Sequence, residues 1–320
     1  MSACSASAPG KVILFGEHAV VYGRPAIAVP VTQVGATVTI TPGTAGFRIE
    51  AADLDRACWL EEAERNDPLA QAVRVTLDRL RTPAPAVTLT VRSTIPIASG
   101  MGSGAAVSVA IIRALAGHLG AQLPDEVVSS LAYQIEEIHH GTPSGIDNTV
   151  VTYCRPVYFV RAQPIQTFRI HTPFRLLIAD TGIASPTKTT VSEVRRNWER
   201  RPAAYEALFD RIGDLAEAAR VAIETGEVGQ LGPLMNRNQV LLRELGVSCE
   251  QLDTLSRAAL GAGGEGAKLS GAGRGGNLIV LVRPERESAV SQALRQEGAV
   301  GVIPTWVGDH EDREASGPAL

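Results

Sequence analysis

IPIASGMGSGAAVSVA, Ile95 to Ala110, is the stretch whose reading decides the fold. Gly100, Gly102 and Gly104 lie among small residues and run directly into an alanine-rich segment. Glycine beside small side chains lets backbone N–H groups come close to an anion. A helix N-terminus adds free N–H groups and the positive end of its dipole. The segment reads as a phosphate loop opening a helix from about Gly102 to Leu119; a tight helix-packing turn is the alternative. Gly100-x-Gly102-x-x-Ala105 also matches the dinucleotide fingerprint formally, with Asp125 about twenty residues on. Two features oppose that reading. Ser93 to Ser99 separates the preceding strand from the glycines, and strands dominate the opening third instead of alternating with helices. The pattern GxxxxGK[ST] does not occur in the chain.

Three further segments surround this loop: APGKVILFGEHAVVYG (Ala8 to Gly23), GTPSGIDN (Gly141 to Asn148) and KLSGAGRGGNLIVLV (Lys268 to Val282). The last glycine run leads into an apolar strand, so alone it is a hairpin. The other two supply Lys11, Glu17, His18 and Asp147. A primary alcohol is a poor nucleophile, and a carboxylate in reach can accept its proton. An ammonium beside that carboxylate keeps it ionised and offsets charge on a migrating phosphoryl group. Lys11 as a surface lysine and Asp147 as a turn or capping residue are the alternatives. In company, the segments read as a small-molecule kinase.

The 320 residues are 45% hydrophobic, enough for two domains with a sizeable core. A net charge of −4 argues against a nucleic-acid-binding surface. Cys4, Cys58, Cys154 and Cys249 form no CxxC pair and read as reduced thiols of a cytoplasmic protein. No apolar run approaches membrane-spanning length, so no membrane partner is expected. The expected strands are Val12–Phe15, Ala26–Val31, Ala36–Thr41, Phe47–Ala51, Ala86–Arg92, Val157–Arg161, Arg175–Thr181, Ala267–Ser270, Asn277–Arg283 and Val300–Val307. Helices are expected over Pro68–Arg81, Pro124–His140, Pro284–Gln296, and a long stretch Thr187–Leu260 broken near Pro202, Gly226 and Gly246. A domain boundary near Ala162–Pro173 gives domains 1–170 and 171–308, with a disordered tail 309–320.

The set of motifs, in this order and spanning most of the chain, resembles the GHMP kinase superfamily. Within it APGKVILFGEHAVVYG, PSGIDN and DTGIASPTK (Asp180 to Lys188) resemble the mevalonate kinase branch. The resemblance implies an α+β fold: a ribosomal protein S5 domain 2-like N-terminal domain and a ferredoxin-like C-terminal one. It implies ATP-dependent phosphorylation of mevalonate in isoprenoid precursor synthesis, and a homodimer. Another GHMP kinase, such as phosphomevalonate kinase, or a non-catalytic GHMP-fold binding protein stays open. The implied catalytic residues are Asp147 and Lys11. Glu17, His18 and Thr187 would bind the acceptor. Pro96, Ser99, Gly100, Met101, Gly102, Ser103, Gly104, Ala105, Ala106, Gly271 and Gly273 would bind ATP. The family's Mg²⁺ carboxylate lies eleven residues before the PSGID aspartate, which is Glu136 here, with Ser103 as a further ligand.

Two departures from the family pattern matter. Where members carry a second loop serine this chain has Gly104, which leaves Ser103 to supply the hydroxyl. Arg274 replaces a glycine of the third motif and reads either as a phosphate contact or as an exposed hairpin tip. Arg195, Arg196, Arg200 and Arg201, interspersed with glutamate, read as a solvated helix face.

Overall fold

The computed structural model describes residues 3–96, 100–140, 143–164, 166–185 and 187–308, without the side chains of His139 and His140. The tail 309–320, Ser99 and the helix-ending Gly141 lie outside them. Two compact units divide the chain: Met1–Val12 with Pro30–Arg155, and Ile13–Val29 with Pro156–Leu320. Each is discontinuous in sequence.

The first unit opens on β1 (Cys4–Phe15), which pairs with β2 (Ala26–Pro42). The sequence places a strand only from Val12, because Ser and Ala are poor strand formers. Pairing overrides propensity here: Ser5 donates its hydroxyl to the Val38 carbonyl at 3.1 Å, and the Ser7 and Thr37 hydroxyls meet at 2.9 Å. The two strands expected over 26–31 and 36–41 are one strand of 17 residues. Gly35 does not interrupt it, since its N–H bonds Thr94 Oγ1 at 3.0 Å and its carbonyl accepts from the Thr94 N–H at 2.9 Å.

β3 (Phe47–Ala51) pairs antiparallel with the short β4 (Arg56–Trp59), which was not expected from the sequence. A parallel neighbour needs a crossover. α1 (Pro68–Leu80) supplies it before β5 (Val87–Ser93), and β5 pairs parallel with β3 and antiparallel with β2. The order is β4-β3-β5-β2. Asp67 caps α1 by accepting from the Ala70 N–H at 2.8 Å, with Pro68 in the first turn.

α2 (Ser103–His118) is buried on nearly every side, as its alanines and isoleucines require. It packs on α1, α3 (Asp125–His140) and α4 (Ile146–Tyr153). The sequence indicated no element over α4, because its apolar run is too short to show helical periodicity. Burial of Ile146, Val150 and Val151 makes it a helix.

The second unit takes Ile13–Val29 as its first piece, with a 3₁₀ turn at Ala19–Tyr22. Tyr22 stacks on Phe209 with ring centroids 4.1 Å apart. β6 (Val157–Phe159) pairs with Ala26–Ala28 and with β7 (Gln166–Thr167). The chain continues through β8 (Phe174–Asp180), α5 (Thr187–Arg200), α6 (Pro202–Thr225), α7 (Leu231–Glu244) and α8 (Glu250–Gly261). β9 (Gly266–Ser270), β10 (Asn277–Val282), α9 (Glu287–Gln296) and β11 (Gly301–Val307) complete it. The helix expected from Pro284 begins as a 3₁₀ turn over Pro284–Arg286.

The antiparallel order β11-β8-β10-β9 places the fourth strand beside the first and the third beside the second. That is the ferredoxin-like split β-α-β-β-α-β arrangement, with α5 to α8 filling the first connection.

Leu89 is fully buried on β5 between two neighbouring strands. Leu89→Ala is expected to destabilise the protein by about 2–5 kcal/mol through lost burial and a residual cavity. The check is a lower urea midpoint at unchanged denaturant slope.

Candidate active site

β1 carries Lys11 into the interior of the first unit, leaving its side chain 4% exposed. An unpaired buried ammonium is expensive. Its Nζ lies 2.9 Å from Asp147 Oδ1, and the Asp147 side chain is 31% exposed, so the pair is open on the carboxylate side. The Lys11 backbone N–H donates to the Met101 carbonyl at 3.0 Å, which ties the first motif to the glycine loop.

Gly102 precedes α2 at φ +73°. A Cβ there would lie 2.9 Å from Lys11 Cγ and 3.6 Å from Asp147 Oδ2. Only glycine combines that backbone with so close an approach. An added Cβ at Gly100 or Gly104 meets nothing within 4 Å. Met101, Ala105 and Ala106 are buried, so they can offer a ligand only backbone groups, while Ser103 and Pro96 are half-buried.

Glu136, on α3, is buried, whereas its neighbour Glu137 is exposed. Burial pushes the Glu136 carboxyl up to about 8, the Asp147 charge adds to that, and Lys11 pulls the other way. Lys11, Glu136 and Asp147 are therefore one electrostatic group, drawn from three separate stretches of chain.

The second unit holds the rest of the first motif. Glu17, expected to line the acceptor pocket, is buried and paired within the protein. Its side chain is fully buried, ion-paired with Lys268 Nζ, with Asn238 Nδ2 3.3 Å from Oε2. Lys268 also donates to the Leu269 carbonyl at 2.6 Å. Burial pushes Glu17 up and Lys268 down, each against the pull of the other. A carboxylate so enclosed and paired holds the chain in place. Lys268, the partner of Glu17, has no role legible in the sequence. The available signal was a lone lysine inside an apolar strand.

His18 adopts φ +61°, uncommon for a side-chain-bearing residue and often found at functional sites. Its Nε2 lies 2.9 Å from the Ala272 carbonyl. Burial lowers its pKa to about 4; the bond to Ala272 opposes this and the Arg274 charge adds to it. The ring is neutral at pH 7, with Nε2–H donating to that carbonyl and Nδ1 left as an acceptor. Thr187 is exposed at the first position of α5.

The third glycine run is the tip of the β9–β10 hairpin, in register from Asn277↔Ser270. Gly273, at φ +80°, packs against the Val247 carbonyl where a Cβ has no room, so its side of the tip is explained by packing. The position of a Cβ at Gly271 is open. Arg274 is ion-paired with Glu193 and bonded to the Gly246 carbonyl, so it is not a free hairpin tip. Arg195 and Arg196 are exposed on α5 as expected.

The family model for the GHMP kinases N terminal domain matches residues 68–155, and that for the GHMP kinases C terminal domain matches 205–300. The mevalonate kinase of Thermococcus onnurineus strain NA1 is 35% identical, over 93% of this chain and 94% of its own length. The chain belongs to the GHMP kinase family.

Among solved GHMP kinases, L. major mevalonate kinase in complex with R-mevalonate superposes with a TM-score of 0.83 at 29% identity, covering 96% of each chain. Methanococcus jannaschii mevalonate kinase superposes at 0.85 and 26% identity, covering 97% of this chain and 99% of that one. The two-domain GHMP kinase architecture read from the motifs is thus the one found.

The raised Glu136 carboxyl has a signed consequence for this kinase without ligands. The folded protein keeps the proton between 4.5 and about 8 while the unfolded chain has lost it. Stability therefore falls as pH rises through that window. Glu136→Gln is expected to flatten this part of the profile, read as thermal midpoint against pH. A slope unchanged by the substitution would count against it.

Proposed function

We propose that this chain transfers the γ-phosphoryl group of ATP to the terminal hydroxyl of (R)-mevalonate, giving (R)-5-phosphomevalonate and ADP. The observation that carries the reading is the buried Lys11 ammonium against the part-exposed Asp147 carboxylate, beneath the glycine loop of a GHMP kinase whose relatives are mevalonate kinases.

Phosphoryl transfer passes through a loose transition state, so the protein mostly positions groups and balances charge. Asp147 accepts the proton of the mevalonate hydroxyl as its oxygen bonds the γ-phosphorus. The bond from that phosphorus to the β–γ bridging oxygen breaks, and ADP leaves with the electron pair. Lys11 holds the Asp147 carboxylate in place through their ion pair and offsets charge gathering on the transferring group. The free N–H groups at the start of α2, reached through the open faces at Gly100 and Gly104, hold the phosphates.

Mg²⁺ supplies charge neutralisation between the phosphates when bound. Glu136 and Ser103 are the groups we assign to hold it. Among the described residues no three of His, Cys, Asp or Glu cluster into a metal cage. A few carboxylates beside a phosphate loop fit this cation, which takes most of its ligands from phosphate and water. Gly104 brings no hydroxyl, so Ser103 is the side-chain oxygen offered among the described residues 100–106.

For the acceptor we assign His18 and Thr187. The neutral His18 ring offers its Nδ1 lone pair to a substrate hydroxyl, and Thr187 offers a hydroxyl that both donates and accepts. Glu17 acts at one remove, by fixing the residue before His18.

Turnover with mevalonate, phosphomevalonate, homoserine and galactose is the direct test. Activity confined to mevalonate is expected, and preference for any other acceptor would sink the reading. Asp147→Asn is expected to lower kcat by about 10³-fold or more with the thermal midpoint retained. Turnover near the parent's would remove Asp147 from proton transfer.

A further inference from the structure

Arg274 is the one large side chain between Ser270 and Asn277, and it sits at φ +56°. That backbone is strained for any residue with a Cβ and costs glycine nothing. The contacts it makes show what the arginine does there. Its N–H donates to the Val247 carbonyl at 2.8 Å, and Nε and Nη2 reach the Gly246 carbonyl at 3.3 and 3.2 Å. Nη1 is ion-paired with Glu193 on α5. All three guanidinium nitrogens are thus engaged within the unit. Arg196 also reaches Glu193, at 3.6 Å, but from the same helix, so it ties nothing to the hairpin.

Two neighbouring contacts hold the segment leading into α5. Ser185 donates its hydroxyl to the Gly273 carbonyl at 2.8 Å, and the Gly276 N–H donates to the Ile183 carbonyl at 2.7 Å. The hairpin therefore grips this stretch at 183, 185 and 193, on both sides of Thr187. α5 itself buries little, with Thr190 and Val194 its buried residues. With so small an apolar footing, its first turns depend on polar ties for their position.

We propose that the Arg274–Glu193 pair is a clamp that fixes the first turns of α5 and so sets Thr187 for the acceptor. Arg274 is a positioning residue for acceptor binding and makes no phosphate contact. The proposal rests on the assignment of Thr187 to the acceptor given above.

Arg274→Gly, Glu193→Gln and the double variant test it by steady-state kinetics and by hydrogen–deuterium exchange over residues 187–193. Each single variant is expected to raise KM for mevalonate about tenfold, with kcat and KM for ATP within about twofold of the parent. The double variant should match the singles in KM for mevalonate, because each single already removes the Arg274–Glu193 pair. Arg274→Gly relieves backbone strain, so its thermal midpoint should not fall, which separates positioning from loss of structure. Exchange in the first turns of α5 should quicken in all three variants. KM for mevalonate unchanged in both singles, a rise in KM for ATP instead, or multiplied effects in the double variant would each overturn the clamp. So would unchanged exchange. Failure of the parent protein to use mevalonate would strike the functional assignment alone, and the exchange data would still decide the clamp.

Discussion

A lysine ammonium held away from water must have a counter-charge, and in the first unit that requirement organises everything around Lys11. Asp147 is the partner, 2.9 Å away. Gly102 is glycine because the loop lies directly over the pair, and α4 exists in part to present Asp147 from its first turn. The same field reaches Glu136, whose carboxyl is raised by burial and by Asp147. A buried cation beside an open carboxylate is a poor device for stability alone, since its desolvation penalty offsets much of the Coulomb gain. It does place a positive charge and an accessible carboxylate side by side under the glycine loop.

The second unit solves a related problem with a closed pair. Glu17 and Lys268 are fully buried against each other, and Asn238 adds a further hydrogen bond. Next to them the chain turns through the left-handed conformation of His18 and bonds to the Ala272 carbonyl. Ile13 exchanges hydrogen bonds with the Ser270 hydroxyl, through its N–H and its carbonyl, each at 3.0 Å. These contacts stitch Ile13–His18 onto β9 and the hairpin tip, which is why the first motif divides after Val12.

Legibility in the sequence followed the range of the interaction. α1, with its cap and apolar face, and α5 to α8, punctuated by proline and glycine, were readable because these signals act within one turn. β1 was not, since its Ser–Ala alternation becomes a strand only when Thr37 and Val38 lie opposite. α4 was hidden for the same reason: three buried aliphatic residues in eight positions carry no period until neighbouring helices cover them. In the candidate site, Lys11, Glu136 and Asp147 were found through motifs, whereas Lys268, Asn238 and Glu193 were not, because each acts through a partner distant in sequence.

The amino-acid sequence by itself determined the kinase family, since its glycine, lysine and aspartate motifs are carried in local order and residue type. It also determined the split α–β order of the second unit, through alternating strand and helix signals. Tertiary structure alone decided what each charge answers to. Glu17 meets a lysine 251 residues away, and Arg274 meets Glu193 instead of an open tip. The reason is physical: a charge's role depends on what excludes water around it, and that is set only when distant segments pack.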